Sequence, residues 1–223
     1  NTDFKTLNLI NNLYAPDEFR IADHDPVLVG LNPVNQAPVA SAGGPYSVDE
    51  GQSIILSASG YDPDGTPVSF VWDLDNDSLF ETPGQDVTFL AVDGTFNYTV
   101  AVQVTDATGV STVASGVVQV LNVAPTLGEI TAPVDPVAVN VPVTASASFT
   151  DPGVLDTHSA LWDWGDGTTS AGTVSEASGS GSVSDSHAYS VPGIYRIGLI
   201  VTDKDGGTAE SFFEYVVIYD PNG

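Results

Sequence analysis

Apolar residues return at every second position through most of the chain, in short runs set between turn residues, which is the period of half-buried β-strands. Ser53 to Ser59 alternates, Val68 to Leu74 runs through Trp72, and Val87 to Val92 follows. Tyr98, Val100, Val102 and Val104 line one face of a longer strand, and Val117 to Val123 closes the set. Turn signals fall between these runs at Asp62-Pro63-Asp64-Gly65, Pro83-Gly84, Asp93-Gly94 and Thr108-Gly109. Nothing in this first set reads as a helix. After Ala124-Pro125 the order repeats. Val141 to Ser148 alternates, a strand through Trp162 follows, and Gly172 to Ser184 reads as a Ser/Gly-rich loop or weak hairpin. Tyr195, Ile197, Leu199 and Val201 share a face, and Phe212 to Ile218 ends the second set.

The stretch Leu161-Trp162-Asp163-Trp164-Gly165-Asp166-Gly167-Thr168 puts two indoles at i and i+2, on one face of a strand, ahead of a tight turn. A degraded version stands in the first set as Phe70-Val71-Trp72-Asp73-Leu74-Asp75-Asn76-Asp77. Tyr98 to Asp106 then matches Tyr195 to Asp203 without a gap, which marks a duplication. The pattern predicts an all-β chain of two tandem immunoglobulin-like antiparallel sandwiches, residues 34–123 and 124–219, after a short N-terminal extension over 1–33. Trp72, Trp162 and Trp164 all fall on the core parity of their strands, which assigns them to burial rather than to sugar stacking. His158 and His187 have no partner cluster in sequence and read as structural.

At 223 residues the chain has room for two such domains. Four Lys or Arg stand against 29 Asp or Glu, a formal net charge of −25 at pH 7. That surface repels phosphates and anionic membranes, so the sandwiches are not expected to bind nucleic acid or membrane directly. The excess has two readings, a solvated acidic face or carboxylate clusters that take a divalent cation. Cysteine is absent, so no disulfide staples the domains. Asn1 begins without an initiator or a signal-peptide pattern, and the chain reads as an internal piece of a longer protein. No Ser-His-Asp spacing, phosphate loop or Cys/His metal motif is present, and the chain is not expected to be an enzyme by itself.

Trp162-Asp163-Trp164-Gly165-Asp166-Gly167, His187-Ala188-Tyr189-Ser190-Val191-Pro192-Gly193-Ile194-Tyr195 and Val201-Thr202-Asp203-Lys204-Asp205-Gly206-Gly207 resemble the signature of PKD (polycystic kidney disease) domains. The first copy is similar to a variant of that signature, through Trp72 to Asp77 and Phe80 to Gly84, with Ser78 where the variant has Gly. The resemblance covers about residues 35 to 219 and implies an extracellular or cell-surface accessory module, with adjacent domains, polysaccharide or protein matrix as partners. It further implies calcium. Asp62, Asp64 and Asp106 would gather at one end of the first sandwich near Asn35 and Gln36, and Asp151, Asp156 and Asp203 would gather near Asn122 in the second, because clustered carboxylates repel unless neutralised and Ca²⁺ prefers hard oxygen ligands. Asp73, Asp75, Asp77 and Glu81 have the look of a further calcium loop, though the spacing is too short for an EF-hand. The competing assignment for all of these is ordinary Asp-Gly turn chemistry. A matrix-binding module, with the Ser170 to Ser186 loop as contact surface, is the rival to the spacer.

The extension carries a second resemblance. Leu13-Tyr14-Ala15-Pro16 and Phe19-Arg20-Ile21-Ala22-Asp23-His24-Asp25-Pro26, leading into Val27 to Leu31, look like the last segment of the exonuclease/endonuclease/phosphatase superfamily found in secreted bacterial nucleases, with Ala22 where that family has Ser. It implies that in the parent enzyme Asp23 helps to bind Mg²⁺ or a similar divalent metal and His24 acts at the phosphoryl group. The other ligands of that family would lie before Asn1, so this chain is expected to have no nuclease activity.

Overall fold

The computed structural model describes residues 34–223. The extension, with Asp23, His24 and the expected strand over Val27 to Leu31, lies outside the described residues. Two compact units divide the chain at Gln36, and both sandwiches belong to the second, Ala37–Gly223. In the first unit, the Asn35 side chain donates to the Gln36 carbonyl at 3.2 Å.

The first sandwich contains β1 (Val39–Ser41), β2 (Tyr46–Asp49), β3 (Ser53–Ser57), β4 (Ser59–Tyr61), β5 (Ser69–Asp73), β6 (Thr82–Pro83), β7 (Asp86–Leu90), β8 (Phe96–Thr105) and β9 (Ser111–Leu121). One sheet has the order β2-β9-β8-β5-β6, and the pairs β3-β7 and β1-β4 supply the rest. Pairing is antiparallel except that β2 runs parallel to β9. The alternating run from Ser53 predicts a single strand, but it breaks at Ala58. Gln85 clasps that residue, accepting from the Ala58 amide with its backbone carbonyl at 2.9 Å and donating to the Ala58 carbonyl with its side chain at 3.0 Å.

The second sandwich repeats this plan with β10 (Thr126–Leu127), β11 (Val137–Ala138), β12 (Pro142–Thr150), β13 (His158–Asp163), β14 (Thr169–Ala171), β15 (Thr173–Ala177), β16 (Ser180–Ala188), β17 (Gly193–Asp203) and β18 (Thr208–Tyr219). Its sheets are β11-β18-β17-β13-β14 and β10-β12-β16-β15. Here β12 is unbroken, and β11 joins β18 in parallel as β2 joins β9. The Ser/Gly-rich segment forms a regular hairpin, β15 with β16, turning at Ser178 and Gly179, both at positive φ. That is the backbone a two-residue hairpin turn requires, and a Ser-Gly pair tolerates it.

Both cores centre on tryptophan. Trp72 is fully buried and donates its indole N–H to the Gly84 carbonyl at 3.1 Å, among Leu56, Phe89, Val100, Val102 and Val118. Trp162 is its counterpart, among Val143, Phe149, Leu199 and Val216. Trp164 lies one residue past the end of β13 and is nonetheless buried, because its ring stacks on Trp162 at 5.6 Å and the Tyr189 hydroxyl donates to its carbonyl at 2.9 Å. Each indole fills a volume that no neighbour can recover. Trp72→Ala and Trp162→Ala are therefore each expected to destabilise the chain by about 3–5 kcal/mol in equilibrium denaturation, and a loss under 1 kcal/mol would contradict these cores.

Candidate metal centre where the sandwiches join

The turn after β2 carries Glu50, whose side chain has no exposure at all. Its backbone is pinned by Glu50 N–H to Leu121 C=O (2.9 Å) and Gly51 N–H to Ala91 C=O (2.7 Å). Its carboxylate accepts from the Val123 amide through Oε1 and from the Gly94 amide through Oε2, each at 2.7 Å. A buried carboxylate persists only when hydrogen-bonded, and these two donors fix it across the loop between β7 and β8 and the linker after β9. The same turn meets the second sandwich. A side chain at Gly51, which sits at φ 74°, would come within 2.7 Å of Pro152, and one at Gly153 would come within 2.6 Å of Asp156 Oδ2 and 2.7 Å of Glu50 Oε2. Glycine at both positions lets the two ends close on each other.

Opposite Glu50 stand the carboxylates of the second sandwich. Asp151, Asp156 and Asp203, all about 95 % buried, place one oxygen each within 4.8 Å of one another. Asp151 accepts from the Gly153 amide (2.7 Å) through Oδ1 and meets His158 Nε2 (3.0 Å) through Oδ2. Asp203 Oδ1 accepts from the Asp205 and Gly207 amides, and its Oδ2 accepts from the Asn122 side chain at 3.1 Å. Asp156 Oδ1 is bound by Lys204, whose ammonium also reaches Asp93 of the first sandwich and Asp205 at 3.1 Å. Two buried oxygens here have no hydrogen-bond partner, Asp156 Oδ2 and Asn122 Oδ1. Both are hard donors of the kind that calcium takes.

Glu50, Asp93, Asp156 and Asp205 form a second group with the same spacing, and Asp73, Asp75 and Asp77 a third. In the third, Asp73 is buried and caps its own loop, accepting from the Asn76 amide (2.7 Å) and the Ser78 amide (3.0 Å), so Ser78 takes the positive φ for which glycine is usual. Among the described residues Asp62, Asp64 and Asp106 do not form such a group. Asp62 accepts from the Asp64 amide (2.9 Å) and from the Thr66 hydroxyl, and Asp106 Oδ1 accepts from Thr108 and Val110, which is Asx-turn chemistry.

A family model of the PKD domain matches residues 35–120 and again 122–217. The chain belongs to the PKD domain family. PKD domains are non-catalytic modules, typically extracellular adhesion or accessory units. Similar solved structures include the PKD domain of an M14-like peptidase from a Thermoplasmatales archaeon, at 23 % identity over 44 % of this chain and 97 % of that one, with a TM-score of 0.38. They also include the PKD1 domain of Vibrio anguillarum Epp, at 25 % identity over 44 % of this chain and 99 % of that one, with a TM-score of 0.32. A titin fragment spanning domains I67–I69 is similar at 15 % identity over 82 % of this chain and 66 % of that one, with a TM-score of 0.39.

In this PKD tandem, sequence reasoning finds the second-copy trio but misses Glu50, Asp93, Asp205, Lys204 and the pairing of His158. A single Glu after a short strand gives no periodic signal. The alignment that equates Asp106 with Asp203 does show that Lys204 has no basic counterpart, since Ala107 occupies its place. His158 is not merely a core residue, for its ring bridges Asp151 and Glu176, the latter at 2.7 Å.

The electrostatics follow from crowding. Burial raises the Glu50 pKa above its ordinary 4.5, helped by Asp156 and Asp151 and opposed by its two amide donors. Burial likewise raises Asp156 above 3.8, against the pull of Lys204. Burial alone would lower His158, but the hydrogen bonds from Asp151 and Glu176 outweigh it and raise its pKa above 6.5. In all three the folded state binds more protons than the unfolded one, so their contribution to stability is full below the unfolded values and is lost as pH rises through the folded ones. In the presence of chelator the melting temperature is expected to fall from roughly pH 5 to pH 8, and Glu50→Gln to flatten that slope. A melting temperature that rises across this range would contradict the assignment.

Proposed function

We propose that this PKD tandem is a non-catalytic accessory module of a secreted protein, a spacer whose internal junction is fixed by calcium bound between Asp151, Asp156 and Asp203, with the Asn122 amide oxygen as a further ligand. The observation that carries this reading is Asp156, which is 6 % exposed and has one carboxylate oxygen without a partner among the other carboxylates. A buried carboxylate oxygen left without a partner is costly, and a divalent cation offsets it. Asn122 lies on the linker between the sandwiches, Asp151 just after β12 and Asp203 at the end of β17, so one ion would tie the linker to the domain it enters. Magnesium suits the set less well, since it demands near-octahedral geometry and keeps its waters. Asp62 and Asp106 hold the equivalent positions in the first copy, where they accept from their own turns and form no such group among the described residues, so the calcium reading is placed on the second copy. The nuclease-like residues Asp23 and His24 support a metal-dependent nuclease or phosphodiesterase as the neighbouring domain.

The outer face of the second sandwich favours adhesion as an additional role. Phe212 lies across Gly198 with the Arg196 guanidinium 3.5 Å above its ring, beside the exposed Leu161 and Ile200. Such a face suits a protein or glycan contact. Retention on insoluble polysaccharide or matrix protein that is lost in Phe212→Ala would support it, and no retention would leave the spacer role alone.

Calorimetric titration of the chain with Ca²⁺ at neutral pH is expected to give a saturable heat, and a hundredfold excess over Kd to stabilise the fold by about 2.7 kcal/mol. Asp203→Asn should abolish both responses, whereas Asp220→Asn, at an exposed position, should leave them intact. No heat and no thermal shift in the wild-type chain would overturn the calcium reading.

A further inference from the structure

Lys204 sits inside an acidic box that has the dimensions of a metal site. Its ammonium contacts Asp93 from the first sandwich and Asp156 and Asp205 from the second, and these three together with Glu50 place oxygens within 4.8 Å of one another. Asp156 belongs to both acidic groups. One of its oxygens holds Lys204 and the other, buried and without a hydrogen-bond partner, faces Glu50 Oε2 around Gly153. The junction therefore contains two adjoining cation positions that share one carboxylate. Six carboxylates stand there against one ammonium and the His158 imidazole, and the other basic side chains among the described residues, Arg196 and His187, are paired with Glu214 and Asp166.

We propose that Lys204 is a tethered cation filling one of these positions, so that it sets the stoichiometry of the junction at one divalent ion and holds the two sandwiches together when no metal is bound. The side chain supplies one charge to a box of four carboxylates, and its contact with Asp93 is an ion pair made directly from one sandwich to the other. Removal of the ammonium leaves Glu50, Asp93, Asp156 and Asp205 with like charges at close range, which is unstable without a cation and has the oxygen ligands a calcium ion takes. In this way the same residue lowers the dependence of the fold on calcium and excludes a second ion.

The inference rests on the calcium reading for its stoichiometry and stands apart from it in its metal-free arm. Lys204→Met keeps most of the aliphatic stem and removes the charge, and Lys204→Arg keeps the charge. By calorimetry with Ca²⁺ the wild type and Lys204→Arg are expected to bind one ion and Lys204→Met two, and Lys204→Met with Asp203→Asn is expected to retain one. In chelator Lys204→Met should melt below the wild type, and saturating Ca²⁺ should close that gap. An equal stoichiometry in wild type and Lys204→Met, or a melting gap that calcium leaves unchanged, would overturn the role of Lys204 while leaving the calcium reading in place. If the wild type binds no calcium, the calcium reading fails, and an unchanged melting temperature of Lys204→Met in chelator would overturn the tethering as well. Should Lys204→Met fail to fold in chelator and fold with calcium, the proposal is supported; Lys204→Gln provides the same comparison with a shorter, polar side chain.

Discussion

A concentration of buried negative charge dominates the structure where the two sandwiches meet. Glu50, Asp151, Asp156 and Asp203 are each at least 94 % buried, and Asp93 and Asp205 stand beside them. Carboxylates at such spacing repel by several kcal/mol unless their charge is compensated. The chain compensates with backbone amides on Glu50 and Asp203, with His158 on Asp151, and with Lys204 on Asp156. Of the oxygens of the four buried carboxylates, Asp156 Oδ2 alone has no hydrogen-bond partner, a degree of pairing that a solvated acidic face would not need.

The two copies show how context changes what one sequence pattern does. Asp62 and Asp151 each begin an Asp-Pro turn, and Asp106 and Asp203 align without a gap. In the first copy these groups cap their own turns. In the second copy the turns receive a preceding domain, and Glu50 with Asp93 adds carboxylates that no single-domain pattern contains. The acidic junction is therefore a property of the pair, produced by the way the turn after β2 and the loop after β7 face the loops of the next sandwich.

Much of the fold was legible in the sequence because its signals are periodic. Alternation placed the strands and the core parity of Trp72, Trp162 and Trp164, and the repeat fixed the register that brings Asp151 and Asp203 to one end. The legible part of the site is the part that lies on repeated positions. Glu50, Lys204 and Asp205 were hidden because they act across a domain boundary, where spacing along the chain carries no information about distance. The break at Ala58 was hidden for a related reason, since it depends on a clasp by Gln85 from the turn before β7.

The PKD fold thus serves here as a frame that brings acidic residues from two copies into one place, where the proposed calcium would bind. The most direct measurement is an anomalous difference map from crystals grown with calcium and collected at a long wavelength. A peak bounded by Asp151, Asp156, Asp203 and Asn122 is expected, with Asp156 Oδ2 as a ligand. A map with no peak there at saturating calcium, in crystals that keep the junction described, would contradict it.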